Sequence, residues 1–137
     1  MVPTTITNGS NKLVELQALY QREIPDPSSS LGLAARYHFK HPGKPVRAQL
    51  ALSTGYSLGL NPLDNLHWAA ACELLHNASL IHDDISDSST HRRGQESIHL
   101  HFGSDMALCL GDWMVAKAFE LGARNTSNGG ALVALLA

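Results

Sequence analysis

The sequence predicts an all-helical protein. Between Asn61 and Ser86, apolar residues recur every three or four positions, which is the period of an amphipathic helix, and no part of the chain alternates apolar and polar residues as a half-buried strand does. Residues that cap or stop helices separate the other apolar segments. The apolar stripe of the long segment has these members: Leu63, Leu66, Ala70, Leu74, Ala78, Ile81 and Ile85.

Polar and proline-containing segments delimit the first helices. Residues 1–11 are polar and are expected to be a disordered lead-in, so that one helical domain occupies residues 12–137. A first helix follows the lead-in and ends before Pro25, and a second, short helix is predicted over residues 31–39. Pro45 suits the first position of a third helix, because the N–H that proline lacks would have no partner there.

The second part of the chain is divided in the same way. Asn61 and Pro62 predict the start of the long fourth helix, since asparagine caps helix N-termini and proline is tolerated in the first turn. Gly122 predicts the end of a later helix that begins near residue 105. The other segments are a polar loop, a loop rich in Asn, Ser and Gly, and an apolar last helix: 86–97, 124–130 and 130–137.

Composition and charge argue against several classes of protein. The 137 residues include 10 Lys and Arg and 12 Asp and Glu, so the net charge is −2 and duplex nucleic acid is a poor candidate ligand. The chain is 44% apolar and 16% charged, which argues against disorder. The sequence shows no secretion signal or membrane span, and Cys72 and Cys109 lie among apolar residues, as reduced thiols do. The expected compartment is the cytoplasm.

Three aspartates at the end of the long helix predict a site for a divalent cation. Asp83, Asp84 and Asp87 lie at the negative end of the helix dipole and repel one another, which makes this an unfavourable place for carboxylates. Residues that oppose the preference of the local structure in this way are typical of a functional site. Asp83 and Asp87 are one helical turn apart and project from one face, where their oxygens suit Mg²⁺.

Basic residues on both sides of the aspartates predict a site for diphosphate. Arg92 and Arg93 follow shortly after the aspartates, and guanidinium groups bind phosphate oxygens in pairs. His76 precedes the aspartates by two helical turns and shares nearly the same face. Lys44 and Arg47 form a second basic pair at the start of a helix, where backbone N–H groups also favour anions.

Other interpretations of these residues are open at this point. An aspartate-rich helix end is often only a solvated surface, and a single lysine or arginine is often only a surface charge. Five of the eight histidines fall between His76 and His101, which allows a zinc-binding module as a further hypothesis, although their spacing matches no common zinc pattern. The occurrence of acidic and basic groups together, in one order, favours the metal and diphosphate interpretation.

Four motifs, in this order, resemble those of the trans-isoprenyl diphosphate synthase family, the polyprenyl and geranylgeranyl diphosphate synthases. They are GKPVR, ELLHNASLIHDDISD, RRGQESIHLHFG and LGDWMVAKAF, and the similarity covers residues 31–122. The departures from the family pattern are few: Pro42, Pro45, Ala48 and Met114. The resemblance implies an antiparallel helical bundle of the isoprenoid-synthase type and a prenyltransferase that joins isopentenyl diphosphate to an allylic diphosphate.

The resemblance also implies a role for each candidate residue. The ligands of isopentenyl diphosphate would be Lys44, Arg47, His76 and Arg93. Asp83 and Asp87 would hold the cofactor Mg²⁺ with support from Asp84, and Arg92 would contact the allylic diphosphate. The family resemblance further implies a homodimer, or association with another synthase subunit.

The length of the product depends on the residues one turn before the aspartates. In the family these residues form the floor below the growing chain, and here they are small: Ala78 and Ser79. We therefore expect a product of geranylgeranyl length or longer, with Trp113 on the next helix as the residue that limits it.

A second aspartate-rich motif, which the family needs to complete its metal site, is not found in this sequence. No acidic residue follows Glu120, and the apolar last segment has no polar final turn. We therefore expect the chain to be the N-terminal half of a longer enzyme and to be inactive alone. The alternative is a non-catalytic regulatory or scaffolding subunit that pairs with a complete synthase.

Overall fold

The long amphipathic segment forms the central helix of the molecule. A computed structural model describes residues 8–137, with side chains from residue 11 onward, and within this range the chain is all-helical apart from one small hairpin. The helices are α1 (Asn8–Glu23), α2 (Ser30–Phe39), α3 (Val46–Ser57), α4 (Pro62–Ser86), α5 (Ile98–Phe102), α6 (Ser104–Ala123) and α7 (Gly129–Leu136). The predicted all-α class is confirmed.

The predicted stripe of α4 faces the core over most of its length. Its residues from Leu66 to Ile81 are buried, whereas Leu63 at the start is exposed. Helix α4 packs mainly against α6 and then against α3. Asn61 caps α4 as expected, because its Oδ1 accepts hydrogen bonds from the N–H groups of Leu63 and Asp64 at 3.0 and 3.2 Å.

Two predicted helix boundaries near the N-terminus differ from the structure. Helix α1 begins at Asn8, inside the expected lead-in of residues 1–11, and the rest of that segment lies outside the described residues. Pro45 caps α3 instead of taking its first helical position, because its ψ of 57° is not helical.

Gly122 does not end its helix. Helix α6 continues to Ala123, and Gly122 is buried within its last turn. Its missing side chain makes room for Leu136 of α7, since an added Cβ would lie 2.9 Å from Leu136 Cδ1. The need for a glycine at this position therefore comes from the packing of α7 against α6 and not from a turn of the backbone.

The predicted loop of residues 86–97 contains a small β-hairpin that was not predicted. Strands β1 (His91–Arg92) and β2 (Gln95–Glu96) pair antiparallel, and α5 follows them. Strands of two residues are too short to show the alternation that reveals a longer strand. Among the described residues, no helix is both long enough and apolar enough to cross a membrane.

Candidate active site

One face of α4 carries most of the candidate residues. His76, Ser79, Asp83 and Asp87 follow one another at intervals of three or four residues, so they lie along one side of the helix. Ser79 and both aspartates are exposed and His76 is half-buried, while the opposite side of α4 is in the core. The structure therefore brings the expected metal ligands and one expected diphosphate ligand onto a common open surface.

Asp83 and Asp87 keep their carboxylates available. Asp87 caps the C-terminus of α4, and its backbone N–H donates to the carbonyl oxygen of Asp83 at 2.8 Å. In the part of the chain that the structure describes, neither carboxylate accepts a hydrogen bond or forms an ion pair, whereas six of the other acidic side chains accept hydrogen bonds. These two side chains therefore have their oxygens free for an external cation.

Asp84 lies on a different side of the helix and has a partner within the chain. It is 3% exposed, and its two oxygens accept hydrogen bonds from Arg92 Nε at 2.7 Å and Nη2 at 2.8 Å. The hydrogen-bonded carboxylate raises the pKa of Arg92. Asp84 was expected to support the metal site and Arg92 to bind the allylic diphosphate, and in the structure these two side chains bind each other.

The hairpin turn explains why adjacent arginines reach different partners. Arg93 and Gly94 form the two-residue turn and have φ values of 53° and 79°, the left-handed pair that a type I′ hairpin requires. Arg92 is on a strand and turns to Asp84, while Arg93 is at the tip. Tyr37 of α2 holds the hairpin, since its hydroxyl donates to Glu96 O at 3.0 Å and its carbonyl accepts from Gln95 Nε2 at 3.1 Å.

Arg93 is a half-buried cation that has no anionic partner among the residues the structure describes. Its Nη1 donates to the carbonyl oxygen of His41 at 3.3 Å, and its Nη2 lies 3.5 Å from Asn77 Oδ1. Within the described residues no carboxylate oxygen is within 4.0 Å of Arg93, Arg47 or Lys44. Burial lowers the pKa of Arg93, and the charge of the neighbouring arginine adds to this effect. An external anion would therefore stabilise the positive charge of this side chain.

His76 is close to this cationic group. Burial lowers the pKa of His76, and the nearby charges of Arg47, Arg93 and Arg92 lower it further. His76 is therefore neutral near physiological pH, and it can donate a hydrogen bond to phosphate without adding to the repulsion among the arginines. Lys44 is exposed in the loop before α3 and directly follows Gly43, which contacts Arg93.

A buried carboxylate fixes the start of α3, where Arg47 lies. Glu73 is 6% exposed on α4, and its Oε2 accepts a hydrogen bond from the backbone N–H of Ala48 at 3.1 Å. It replaces the side-chain cap that Pro45 cannot supply. Glu73 and two other buried polar residues, His38 and Asn77, were not predicted from the sequence. Glu73 and Asn77, one turn apart on the apolar side of α4, were the sequence signal that could have revealed this buried polar cluster.

The residues expected to set product length are divided between two sides of α4. Ser79 is on the open face, and its hydroxyl donates to the carbonyl oxygen of His76 at 2.7 Å. Ala78 is 1% exposed and belongs to the core, away from the aspartates. Trp113 on α6 is half-buried against the same core. Of the two small residues, Ser79 alone borders the open surface.

The described residues contain no group of three or more His, Cys, Asp or Glu side chains arranged to hold one metal ion. Asp83 and Asp87 are thus a pair of free carboxylates and not a complete protein cage. A metal ion at this place would need further ligands from water or from a substrate.

Comparison with known proteins finds similar sequences and similar structures. A short chain isoprenyl diphosphate synthase of Methanothermobacter thermautotrophicus is 46% identical over 83 residues, which are 61% of this chain and 26% of that protein. The geranylgeranyl pyrophosphate synthetase of Pyrococcus horikoshii has a similar structure, with a TM-score of 0.83 and 33% identity over 92% of this chain and 40% of that one.

A polyprenyl synthase of Caulobacter crescentus, solved with calcium and isoprenyl diphosphate, has a TM-score of 0.82 and 25% identity over 93% of this chain and 40% of that one. The chain therefore spans between a quarter and two fifths of the length of these three proteins. The family model for polyprenyl synthetases matches residues 28–137, which is most of the sequence. On this evidence, the chain belongs to the polyprenyl synthetase family.

Proposed function

We propose that this chain supplies the diphosphate-binding and Mg²⁺-binding residues of a trans-prenyltransferase that joins isopentenyl diphosphate to an allylic diphosphate. One observation carries the proposal: Arg47 and Arg93, which have no carboxylate partner among the described residues, lie near His76, and His76 shares one face of α4 with the free carboxylates of Asp83 and Asp87 two and three turns further on. A metal ion would bind the free carboxylates, and the diphosphate bound to that metal would bind the nearby arginines.

The donor set fits Mg²⁺. Asp83 and Asp87 offer hard oxygen ligands from one face, and Mg²⁺ is commonly held by one or two carboxylates while water and phosphate oxygens fill its other positions. When bound, the ion would neutralise charge that develops on a departing diphosphate. The Caulobacter protein, solved in complex with calcium and isoprenyl diphosphate, supports the use of a divalent cation together with this kind of substrate.

The basic residues would hold the two substrates in position. Lys44, Arg47, His76 and Arg93 would bind isopentenyl diphosphate. Arg92 would bind the allylic diphosphate through the N–H groups that Asp84 leaves free, since a guanidinium has five and Asp84 accepts from two of them.

In the reaction, the carbon–oxygen bond of the allylic diphosphate breaks and diphosphate leaves with the electron pair. The double bond of isopentenyl diphosphate forms the new carbon–carbon bond, and a proton is then lost. Fixed cations favour this step because they stabilise the negative charge as it develops, without having to reorganise.

Ser79 supports a product of geranylgeranyl length or longer. It is small, it borders the open face, and it lies one turn before Asp83, so it leaves room for a chain beside α4. Chromatography of the products formed by an active enzyme containing this sequence tests the proposal. Farnesyl diphosphate as the sole product would contradict it, and Trp113→Ala is expected to lengthen the product if Trp113 limits it.

Binding and turnover are tested separately. We expect inorganic pyrophosphate with Mg²⁺ to raise the Tm of the chain, and we expect Asp83→Asn with Asp87→Asn to abolish the rise. Glu15→Gln, which removes an exposed acid on α1, is the matched control. Absence of any rise in the wild type would refute the proposed site.

In an assay with isopentenyl diphosphate, an allylic diphosphate and Mg²⁺, we expect no turnover by this chain alone, because the family needs a second aspartate-rich motif. Binding without turnover even beside a complete synthase would favour the regulatory or scaffolding subunit.

Association with a second subunit, identical or not, is part of this proposal. Apolar side chains on α3, in the turn after it and at the start of α4 are at least half exposed, and together they are called the α3 row: Val46, Leu50, Tyr56, Leu58, Leu60 and Leu63. Apolar surface of this kind is typical of faces that are covered by protein.

A further inference from the structure

Behind Arg93 lie two buried polar side chains that the proposed reaction does not use. His38 on α2 and Asn77 on α4 are each 5% exposed, and His38 Nε2 lies 2.8 Å from Asn77 Oδ1. Because an amide oxygen can only accept, His38 donates this hydrogen bond. Burial lowers the pKa of His38 to about 4, so its ring is neutral near physiological pH.

The amide of Asn77 is held at both ends. Its Nδ2 donates to the carbonyl oxygen of Glu73 at 2.7 Å, while its Oδ1 accepts from His38. The direction of Oδ1 is therefore fixed by bonds to two helices. The same oxygen lies 3.5 Å from Arg93 Nη2.

The guanidinium of Arg93 lies in a slot between Asn77 and the loop of residues 41–43. On the loop side its Nη1 donates to the carbonyl oxygen of His41 at 3.3 Å. Gly43 gives the slot its width, since an added Cβ would lie 2.7 Å from Nη2 and 2.8 Å from Nε. The left-handed backbone of Arg93, with its φ of 53°, aims the side chain into this slot from the hairpin tip.

We propose that Asn77 is a positioning residue which, held by His38, fixes the guanidinium of Arg93 in this slot for an incoming diphosphate. The inference rests on the proposed function, in which Arg93 binds the diphosphate of isopentenyl diphosphate. Asn77 is too deeply buried to touch that substrate, so it acts through Arg93. Fixing a guanidinium in advance lowers the conformational entropy lost when the anion binds.

The orientation of Arg93 can be measured without any ligand. We expect a distinct ¹⁵Nε–H NMR signal for Arg93, identified by its loss in Arg93→Lys. Asn77→Ala is expected to shift and broaden that signal. His38→Phe, which keeps a ring but removes the donor, is expected to do the same. Gln95→Ala is the control, because it removes one of the two hydrogen bonds between the hairpin and Tyr37 and leaves the bonds of Asn77 and His38 in place.

A binding experiment measures the consequence. By titration calorimetry with inorganic pyrophosphate, we expect Asn77→Ala to weaken binding about tenfold when Arg93 is present and less than twofold in the Arg93→Gln background, because contacting residues couple and independent ones add. Equal losses in the two backgrounds, or an Arg93 signal that Asn77→Ala leaves unchanged, would overturn the inference. If Asn77→Ala does not fold, as circular dichroism would show, His38→Phe takes its place in both measurements.

The two proposals fail in different ways. If the wild type binds no pyrophosphate, or Arg93→Gln binds it as well as the wild type does, the diphosphate role of Arg93 in the proposed function fails. The NMR signal of Arg93 then decides by itself whether Asn77 fixes the side chain.

Discussion

The aspartates at the end of α4 differ in their surroundings although they are neighbours in sequence. Asp83 and Asp87 are exposed, whereas Asp84 is 3% exposed and bound at both oxygens by Arg92. The bidentate pair links the end of α4 to the hairpin and fixes the turn that carries Arg93. Asp84 is therefore a structural residue as well as a proposed support of the metal site.

The first prediction separates these roles. Asp84→Asn is expected to lower the free energy of unfolding by about 2 kcal/mol, because it leaves the half-buried Arg92 without its anion. Asp83→Asn is expected to change it by less than about 0.5 kcal/mol, since that side chain is exposed and has no hydrogen-bond partner within the described residues. Urea unfolding of both variants tests this, and equal losses of stability would contradict it.

Between elements, an ion-pair network joins α1 to the end of α6. Glu23 of α1 accepts hydrogen bonds from Lys117 Nζ at 3.1 Å and Arg124 Nη1 at 2.6 Å, and both cations also bind Glu120. The hydrogen bond from Arg124 is the largest cause that lowers the pKa of Glu23 to about 2. The network fastens a helix that otherwise contacts the bundle through apolar residues such as Leu16 and Leu19.

The second prediction follows from this pKa. A carboxyl whose pKa is lowered by folding stabilises the native state fully above its ordinary value of 4.5, and this stabilisation is lost as the pH falls towards 2. Near neutral pH, Glu23→Gln is expected to cost about 1–2 kcal/mol. The difference between the variant and the wild type should shrink below about pH 4.5. Unfolding measured over this range tests it, with Glu15→Gln on the same helix as control.

Contact between α3 and α4 depends on a glycine. A Cβ at Gly55 would overlap the buried amide of Asn65, whose Nδ2 donates to the carbonyl oxygen of Leu52 at 3.0 Å. Neither group can move without losing this bond or separating the helices. The crossing of the two helices is therefore set by the absence of one side chain.

The third prediction compares two glycine substitutions. Gly55→Ala is expected to lower the free energy of unfolding by about 1–3 kcal/mol, because overpacking outweighs the gain in helix propensity. Gly130→Ala, where an added Cβ would meet nothing within 4 Å, is expected to leave stability unchanged or to raise it by up to about 1 kcal/mol. Thermal and urea unfolding measure both, and a stability loss in Gly130→Ala equal to that in Gly55→Ala would refute the packing argument.

At the scale of the whole molecule, apolar surface extends over one side and one end. The side is the exposed row of α3 described above. The end is α7, which is apolar along its length and in which no residue is buried. A monomer with this much exposed apolar surface is expected to associate.

The fourth prediction is that the chain self-associates as its concentration rises. Light scattering coupled to size exclusion should give a mass above 14.8 kDa. Leu50→Glu and Leu58→Glu together should lower that mass if the α3 row forms the contact, because charge opposes burial of the row. A monodisperse monomer at all concentrations would contradict the prediction.

Local patterns in the sequence predicted most of the helical structure. The period of the stripe and the cap at Asn61 predicted α4, and the short second helix was also found close to its predicted position. The boundaries that failed depend on contacts elsewhere in the chain. Gly122 lies inside α6 because Leu136 packs on it, and the hairpin has strands too short for any periodic signal.

The sequence by itself determined the helical class, the family resemblance and the shared face of His76, Asp83 and Asp87, because helical periodicity is a property of neighbouring residues. Only the tertiary structure decided which charges are neutralised. Arg92 and Arg93 are adjacent, yet one binds Asp84 and the other lies against Gly43 and Asn77, with no anion beside it in the described part of the chain. Those contacts join residues from separate elements, and their distances depend on how the helices pack, which no spacing along the chain contains.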